Sequence, residues 1–303
     1  MKEIIPATDK HLIVAELTQD KFMRKTNFGN NSIYICTAHN SPNVMREIGR
    51  LREIAFRQTG GGTGKSYDVD AYDTAEIPYS QLIVWDSESM EITGGYRFLE
   101  LNRLNAEQLQ NIRLATQGIF SFSQKFIQNY LPYTIELGRS FVQPKFQAGN
   151  SGRKALYALD NLWDGLGVLV NRNPKMRYFF GKVTMYPDFD KFARDLVLYF
   201  LQLHFGDKEN LVFPQKKLSY FHPEEELAAY FPTTDFATNK KILSSEVRKR
   251  GENIPPLINS YMSLSDTMKC FGTAINPGFG NVEETGILLT VSDIYESKKK
   301  RHL

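Results

Sequence analysis

Cysteine is scarce in this chain of 303 residues. Cys36 and Cys270 stand far apart, without the paired spacing of a zinc or redox site. A disulfide framework is excluded, and a reducing compartment fits. Long apolar runs are missing as well. The longest, Leu196 to Phe205 (LVLYFLQLHF), has about ten residues where a membrane span needs about 20, so no transmembrane helix is expected. The opening MKEIIPATDKHLIVAELTQDK lacks the apolar core and small-residue cleavage site of a secretory signal. A cytoplasmic location is the expectation. Excess charge is absent too: the net charge of +3 is too small to make nucleic acid the main partner. The basic run Lys298, Lys299, Lys300, Arg301 and His302 reads as a frayed, solvated tail, with peripheral contact to an anionic membrane as the lesser reading. No repeat, low-complexity tract or Gly/Ser linker marks a boundary, so residues 1–303 are expected to form a single domain.

Hydrophobic residues make up 42%, aromatics 13% and charged residues 23%, the make-up of a folded chain with a real core. Ser32 to His39 reads as a strand, and Ser41 to Gln58 as a helix opened by Ser41 with Pro42 in its first turn. Gln81 to Asp86 and Glu91 to Leu99 are separated by the turn-length SESM and form an expected antiparallel hairpin. A helical region is expected up to about Tyr130. Pro132 stops it, and Thr134 to Val142 (TIELGRSFV) has the β-branched content of a buried strand. A helix then presents Leu156, Leu159, Trp163, Leu166 and Val170 at spacings of three and four. Met176 to Met185 reads as a strand, and Asp188 to Phe205 as a helix carrying Phe192, Leu196, Tyr199 and Leu203. Periodicity lapses over residues 206–253, where Pro214, Pro223 and Pro232 interrupt; this is expected to be an irregular excursion. A helix over Pro255 to Met268 and strands near Lys269 to Ile275 and Glu284 to Ser292 close the chain. The sum is a mixed α/β (α+β) protein, a mixed sheet flanked by helices.

Gly60-Gly61-Gly62-Thr63-Gly64-Lys65-Ser66 invites a nucleotide P-loop reading, which counting defeats. The motif needs glycine where Thr59 stands, and it should follow a strand, whereas this run follows a helix and leads into an acidic segment. It reads as a mobile active-site flap, or simply a loop. A second constellation is spread along the chain: Arg52 and Phe56, Asp70 and Asp73, Arg97, and Glu136 with Arg139. Each piece alone is weak, since Glu and Arg three apart on a strand face opposite ways and structural ion pairs are common.

Taken in order, Arg-x-x-x-Phe, Asp-x-x-Asp, Gly-Gly-Tyr-Arg and Glu-Leu-Gly-Arg-Ser resemble the hemolysin-related GNAT acyltransferases, whose relatives make lyso-ornithine and glycine lipids. Leu162-Trp163-Asp164-Gly165-Leu166, Tyr178-Phe179-Phe180-Gly181 and Pro255-Pro256-Leu257-Ile258 look like the same lipid-forming branch. The resemblance implies a GNAT fold and transfer of a 3-hydroxy fatty acyl group from a thioester to the amine of glycine or ornithine. Acyl-homoserine-lactone synthases share a similar residue set and supply the nearest enzymatic alternative. A non-catalytic, hemolysin-like lipid-binding protein is the alternative from another class, weakened by the lack of a long amphipathic or spanning segment.

Acyl transfer from a thioester to an amine needs no covalent enzyme intermediate and no tightly bound cofactor. It needs position, deprotonation and oxyanion donors. A zwitterionic amino acid calls for acidic and basic groups together. Glu136 is the candidate base or, since nearby arginines lower a carboxylate's basicity, the group that orients the amine, and Arg97 or Arg52 is the candidate grip on the carboxylate, with Arg139, Asp70, Asp73 and Phe56 completing the site. The resemblance implies oxyanion donors on the central strand, near Phe141 and Val142, and a pantetheine phosphate at the loop that follows, with Gln147, Gly149, Gly152, Arg153 and Lys154. That loop departs from the common pattern Gln/Arg-x-x-Gly-x-Gly/Ala, because Asn150 stands three after Gln147. With Lys145, Lys175 and Arg177 nearby, acidic acyl carrier protein is the favoured donor over coenzyme A. Phe120, Phe122, Phe126, Tyr130 and Phe141 are candidates for an acyl tunnel or for plain core.

Overall fold

The computed structural model describes residues 1–147 and 153–302, and of 153–156 the backbone alone. In chain order the elements are α1 (Lys10–Glu16), β1 (Phe22–Lys25), β2 (Ser32–Cys36), α2 (Pro42–Arg57), α3 (Ala71–Thr74), β3 (Ser80–Asp86), β4 (Glu91–Glu100), α4 (Ala106–Asn111), β5 (Phe120–Phe122), α5 (Gln124–Asn129), β6 (Thr134–Val142) and α6 (Arg153–Arg172). They continue as β7 (Tyr178–Met185), α7 (Lys191–Phe205), β8 (Val212–Pro214), α8 (Glu224–Ala229), α9 (Phe236–Lys249), α10 (Pro256–Met262), β9 (Lys269–Asn276), β10 (Val282–Thr290) and α11 (Glu296–His302). The chain divides into two compact units. One comprises Met1–Ala106, Ile135–Met176 and Glu296–Leu303, the other Glu107–Thr134 and Arg177–Tyr295.

In the first unit β1, β2, β3, β4 and β6 lie side by side in that order, each antiparallel to its neighbour. The expected hairpin is present. Ser80 pairs with Phe98 and Asp86 with Glu91, and Met90 turns the corner at φ 52°. Helix α2 buries Val44, Met45, Ile48, Leu51, Ala55 and Phe56, the face its periodicity requires. Its N-terminus is capped differently from expectation. Ser41 makes no side-chain cap bond; the amides of Asn43 and Val44 instead donate to Glu16 of α1, at 3.0 and 2.9 Å. A carboxylate at a helix N-terminus also complements the dipole.

Helix α6 turns a different stripe inward from the one its sequence suggests. Ala158, Leu162, Leu166, Val168 and Leu169 are buried, while Leu159, Trp163 and Val170 are half-buried and Leu156 lies outside the described side chains. The cause is close approach to the sheet. A Cβ at Gly165 would stand 2.6 Å from Leu82 and 2.8 Å from the Tyr96 hydroxyl, so the glycine edge, not the tryptophan edge, packs down. The basic tail is not frayed either. It forms α11, in which His302 Nδ1 lies 2.9 Å from buried Asp164 and Arg301 bonds Asp160 at 2.9 Å. Carboxylates one turn apart on α6 hold it.

In the second unit β10 lies between β7 and β9, antiparallel to both, and β5 pairs with β8. Phe120, Phe126, Phe180 and Phe271 are buried together, with Phe126 and Phe180 at 5.2 Å between ring centroids. The expected helical region up to Tyr130 is broken into short helices and the strand β5. Helix α7 buries Ala193, Leu196, Val197, Phe200 and Leu201, leaving Leu203 exposed. The excursion over 206–253 is more regular than its sequence suggests. It holds α8 and the 14-residue α9, whose sparse core face of Asn239, Leu243 and Val247 gives little periodic signal. Among the described residues no helix is long and apolar enough to cross a membrane.

Candidate active site

The glycine run after α2 is an anchored loop. Gly60, Gly62 and Gly64 adopt φ of 86°, 94° and 72°, the left-handed region that glycine enters without strain. The Thr63 and Gly64 amides, which a P-loop would aim at phosphate, donate to Glu53 at 3.1 and 2.8 Å. Beyond it the chain lies against α2, with the Asp68 amide bonded to the Gly49 carbonyl at 2.9 Å. A Cβ at Gly49 would meet Val69 at 2.7 Å, so this contact depends on glycine.

That placement aims three aspartates at the sheet. Asp70 caps α3, accepting from the Tyr72 and Asp73 amides, while Asp73 accepts from the Asp70 amide in a reciprocal box. Their remaining valences go to arginines. Arg97 reaches Asp70 at 2.8 Å and Asp73 at 3.3 Å. Arg52 lies 3.4 Å from Asp73 and donates to Gln81, whose amide bonds Asp73 in turn at 2.9 Å. Arg139 lies 2.8 Å from Asp68 and 3.8 Å from Asp70.

Arg97 and Arg139 therefore converge on one carboxylate, Asp70, although a regular strand would turn Glu136 and Arg139 to opposite faces. A bulge resolves this. Arg97 pairs with Gly138 and Gly95 with Phe141, so Arg139 and Ser140 together oppose Tyr96, and Arg139 takes φ 52°. The same register sets Gln81, Arg97 and Gly138 in one cross-strand row and Leu99 with Glu136 in the next. Tyr79, just before β3, extends that second row and donates its hydroxyl to Glu136 Oε2. The Arg97 guanidinium stands 5.1 Å from the Tyr79 ring and 5.4 Å from that of Tyr72.

Burial sharpens the electrostatics. It would push the Asp73 carboxyl up, but Arg52 and Arg97 hold it down to about 2. For Arg97 the aspartates outweigh burial and fix the charge more firmly; for Arg52 burial prevails and lowers its hold on the proton. Access is graded across the cluster. The side chains of Arg52 and Asp73 are 0% exposed and that of Arg97 3%, against 13% for Arg139 and 23% for Asp70. Arg97 keeps one unused donor: its buried Nε has no hydrogen-bond partner among the described residues, and a Cβ at Gly138 would stand 3.6 Å from it.

Of the residues singled out from sequence, Arg52, Asp70, Asp73, Arg97, Glu136 and Arg139 share this cluster, and Phe56 is buried on α2. Phe141 and Val142 continue β6 against Gly95 and Gly94, and Gln147 folds back to donate to the Val142 carbonyl at 3.0 Å. Gly149, Gly152 and the side chains of Arg153 and Lys154 lie outside the described residues. Sequence reading missed Asp68, Tyr79 and Gln81. The hairpin register places Gln81 beside Arg97, and the loop's third aspartate follows from the same acidic run.

The glycine N(alpha)-acyltransferase of Bacteroides thetaiotaomicron is 56% identical over 303 residues, all of this chain and 90% of that protein. That of Phocaeicola vulgatus is 54% identical over the same span, 93% of its length. This chain belongs to the glycine N(alpha)-acyltransferase family. The acetyltransferase (GNAT) domain family matches residues 51–156, which include every charged residue of the cluster. The family member described here is thus an acyltransferase of GNAT fold, transferring acyl groups to an amine. The solved acyl-homoserine-lactone synthase LasI is remote, at 13% identity and a TM-score of 0.40 over 86% of this chain and 91% of that one. So is the CoA-dependent synthase BjaI with SAM and isopentyl-CoA, at 10% identity and 0.38 over 89% and 86%.

Proposed function

We propose that the enzyme transfers a long, 3-hydroxylated fatty acyl group from acyl carrier protein to the amine of glycine, as a step of aminolipid synthesis. The observation that carries this reading is the unused Nε–H of Arg97, buried beside the bare backbone of Gly138 and one cross-strand row from Glu136. An orphaned buried donor costs roughly 1–3 kcal/mol, which an amino-acid carboxylate there would recover. The ammonium of the same small zwitterion then meets Asp70 and Glu136. The names of the two curated relatives favour glycine over ornithine.

The reaction follows from position. Glu136 takes one proton from the glycine ammonium, directly or through water, and passes it to solvent; the neutral amine then attacks the thioester carbonyl, forming the C–N bond, and backbone amides near Phe141 and Val142 receive the oxyanion. As the C–S bond breaks, its electron pair leaves on sulfur. The amine proton passes to Glu136, directly or through water, and on to the departing thiolate, so amine and thioester become amide and thiol. A cysteine acyl-enzyme finds no support: burial pushes Cys36 up to about 12 and Cys270 up to about 11. The donor's phosphate would meet the start of α6, and Asn150, three after Gln147 in the sequence where the common pattern has glycine, favours a protein-borne arm over coenzyme A.

The test is incubation of the purified chain with 3-hydroxyacyl carrier protein or the matching acyl-coenzyme A and a panel of amino acids, with products read by mass spectrometry. N-acylglycine made from the carrier-protein donor is expected. No acylated amino acid with either donor would overturn the reading.

A further inference from the structure

Tyr79 is fixed from several sides. Its amide donates to the Tyr72 carbonyl at 2.9 Å, its own carbonyl accepts from Gln81 Nε2 at 3.2 Å, and its ring meets that of Tyr72 edge to face at 5.8 Å. The residue is 2% exposed and Glu136 1%. The ring and the hydroxyl do different jobs: the ring faces the Arg97 guanidinium, and the hydroxyl donates to Glu136. Among the described residues, the ion pairs beside this bond join Arg97 of β4, Arg139 of β6, Asp68, Asp70 and Asp73 of the acidic loop, and Arg52 of α2. A hydrogen bond donated to a buried carboxylate favours its charged form over its neutral one and fixes its orientation.

We propose that Tyr79 is a positioning residue for acyl transfer, its hydroxyl holding Oε2 of Glu136 and so setting the orientation and proton affinity of that carboxylate. This rests on the glycine-acylating reading. A purely structural tyrosine would support turnover equally at every pH. A donor to the base acts through protonation, so its loss appears mainly on the acid side of the pH profile.

Tyr79→Phe removes the hydroxyl and keeps the ring under Arg97. With glycine and a long-chain acyl carrier protein, the acid limb of kcat is expected to move up by about one pH unit. That makes the variant about tenfold slower on the limb and within about threefold of the parent on the alkaline plateau, with KM for glycine held within about threefold. Fluorotyrosine at position 79, a stronger donor, should move the limb the other way and decides the matter if Tyr79→Phe misfolds by circular dichroism. A limb unmoved in fluorotyrosine protein, or a uniform fall across pH in folded Tyr79→Phe, overturns the Tyr79 role alone. A parent enzyme that acylates no glycine overturns the glycine reading and this role together.

Discussion

At the residue scale, the proposed reaction gives the proton to Glu136 and the substrate carboxylate to the space between Gly138 and Arg97. Glu136→Gln keeps volume and one hydrogen-bonding oxygen but cannot take a proton. Turnover is expected to fall by roughly 10²–10⁴ while the unfolding midpoint stays near that of the parent; a variant with full kcat removes Glu136 from the mechanism. Gly138→Ala adds a methyl about where the glycine carboxylate would approach Arg97. The new contact, 3.6 Å from Arg97 Nε, is ordinary, so stability should change by less than about 1 kcal/mol. KM for glycine should rise, and steady-state kinetics at fixed acyl donor would show it. An unchanged KM would place the carboxylate elsewhere.

At the scale of elements, the acidic loop and α2 form one device. Gly49→Ala gains about 1 kcal/mol of helix propensity but sets a Cβ 2.7 Å from Val69 and 3.3 Å from the Asp68 carbonyl, an overpacking that costs roughly 1–3 kcal/mol. The net is a loss of up to about 2 kcal/mol. A loss should also fall on kcat/KM, because moving Asp68 and Asp70 loosens Arg139 and Arg97; a fully active variant would show that the loop tolerates the shift. The helix cap gives a paired prediction. Glu16→Ala should destabilise by about 1 kcal/mol in urea titration, whereas Ser41→Ala should not weaken the cap, since Glu16 supplies the bonds to the first amides. The hairpin and β6 were legible because their β-branched runs and turn are local signals. The bulge at Arg139 and Ser140 was not: it is a mismatch of register with β4, invisible in either strand alone.

At the scale of the whole molecule, acid stability should report the buried ion pairs. Asp73 is held at about 2, below its ordinary value of 3.8. Its contribution, about 2 kcal/mol, is therefore present above roughly pH 4 and lost as pH falls towards 2. Asp73→Asn should flatten that part of the stability profile in denaturant titrations at stepped pH; an unchanged slope would mean that other carboxylates dominate it.

Alternation, 3.6-residue periodicity and residue chemistry are written locally, so most of the strands, the long helices and the set of charged residues follow from the amino acids in order. That order also separated the glycine run from a P-loop, by spacing and by the helix that precedes it. Tertiary structure decided which edge of α6 and α7 packs inward, that the basic tail docks on α6, and that α9 is a helix despite its sparse apolar pattern. It also decided the site itself. Tyr79, Gln81, Arg97 and Glu136 become neighbours only when strands far apart in the chain align, since cross-strand register and a single extra residue in β6 set which side chains share a face.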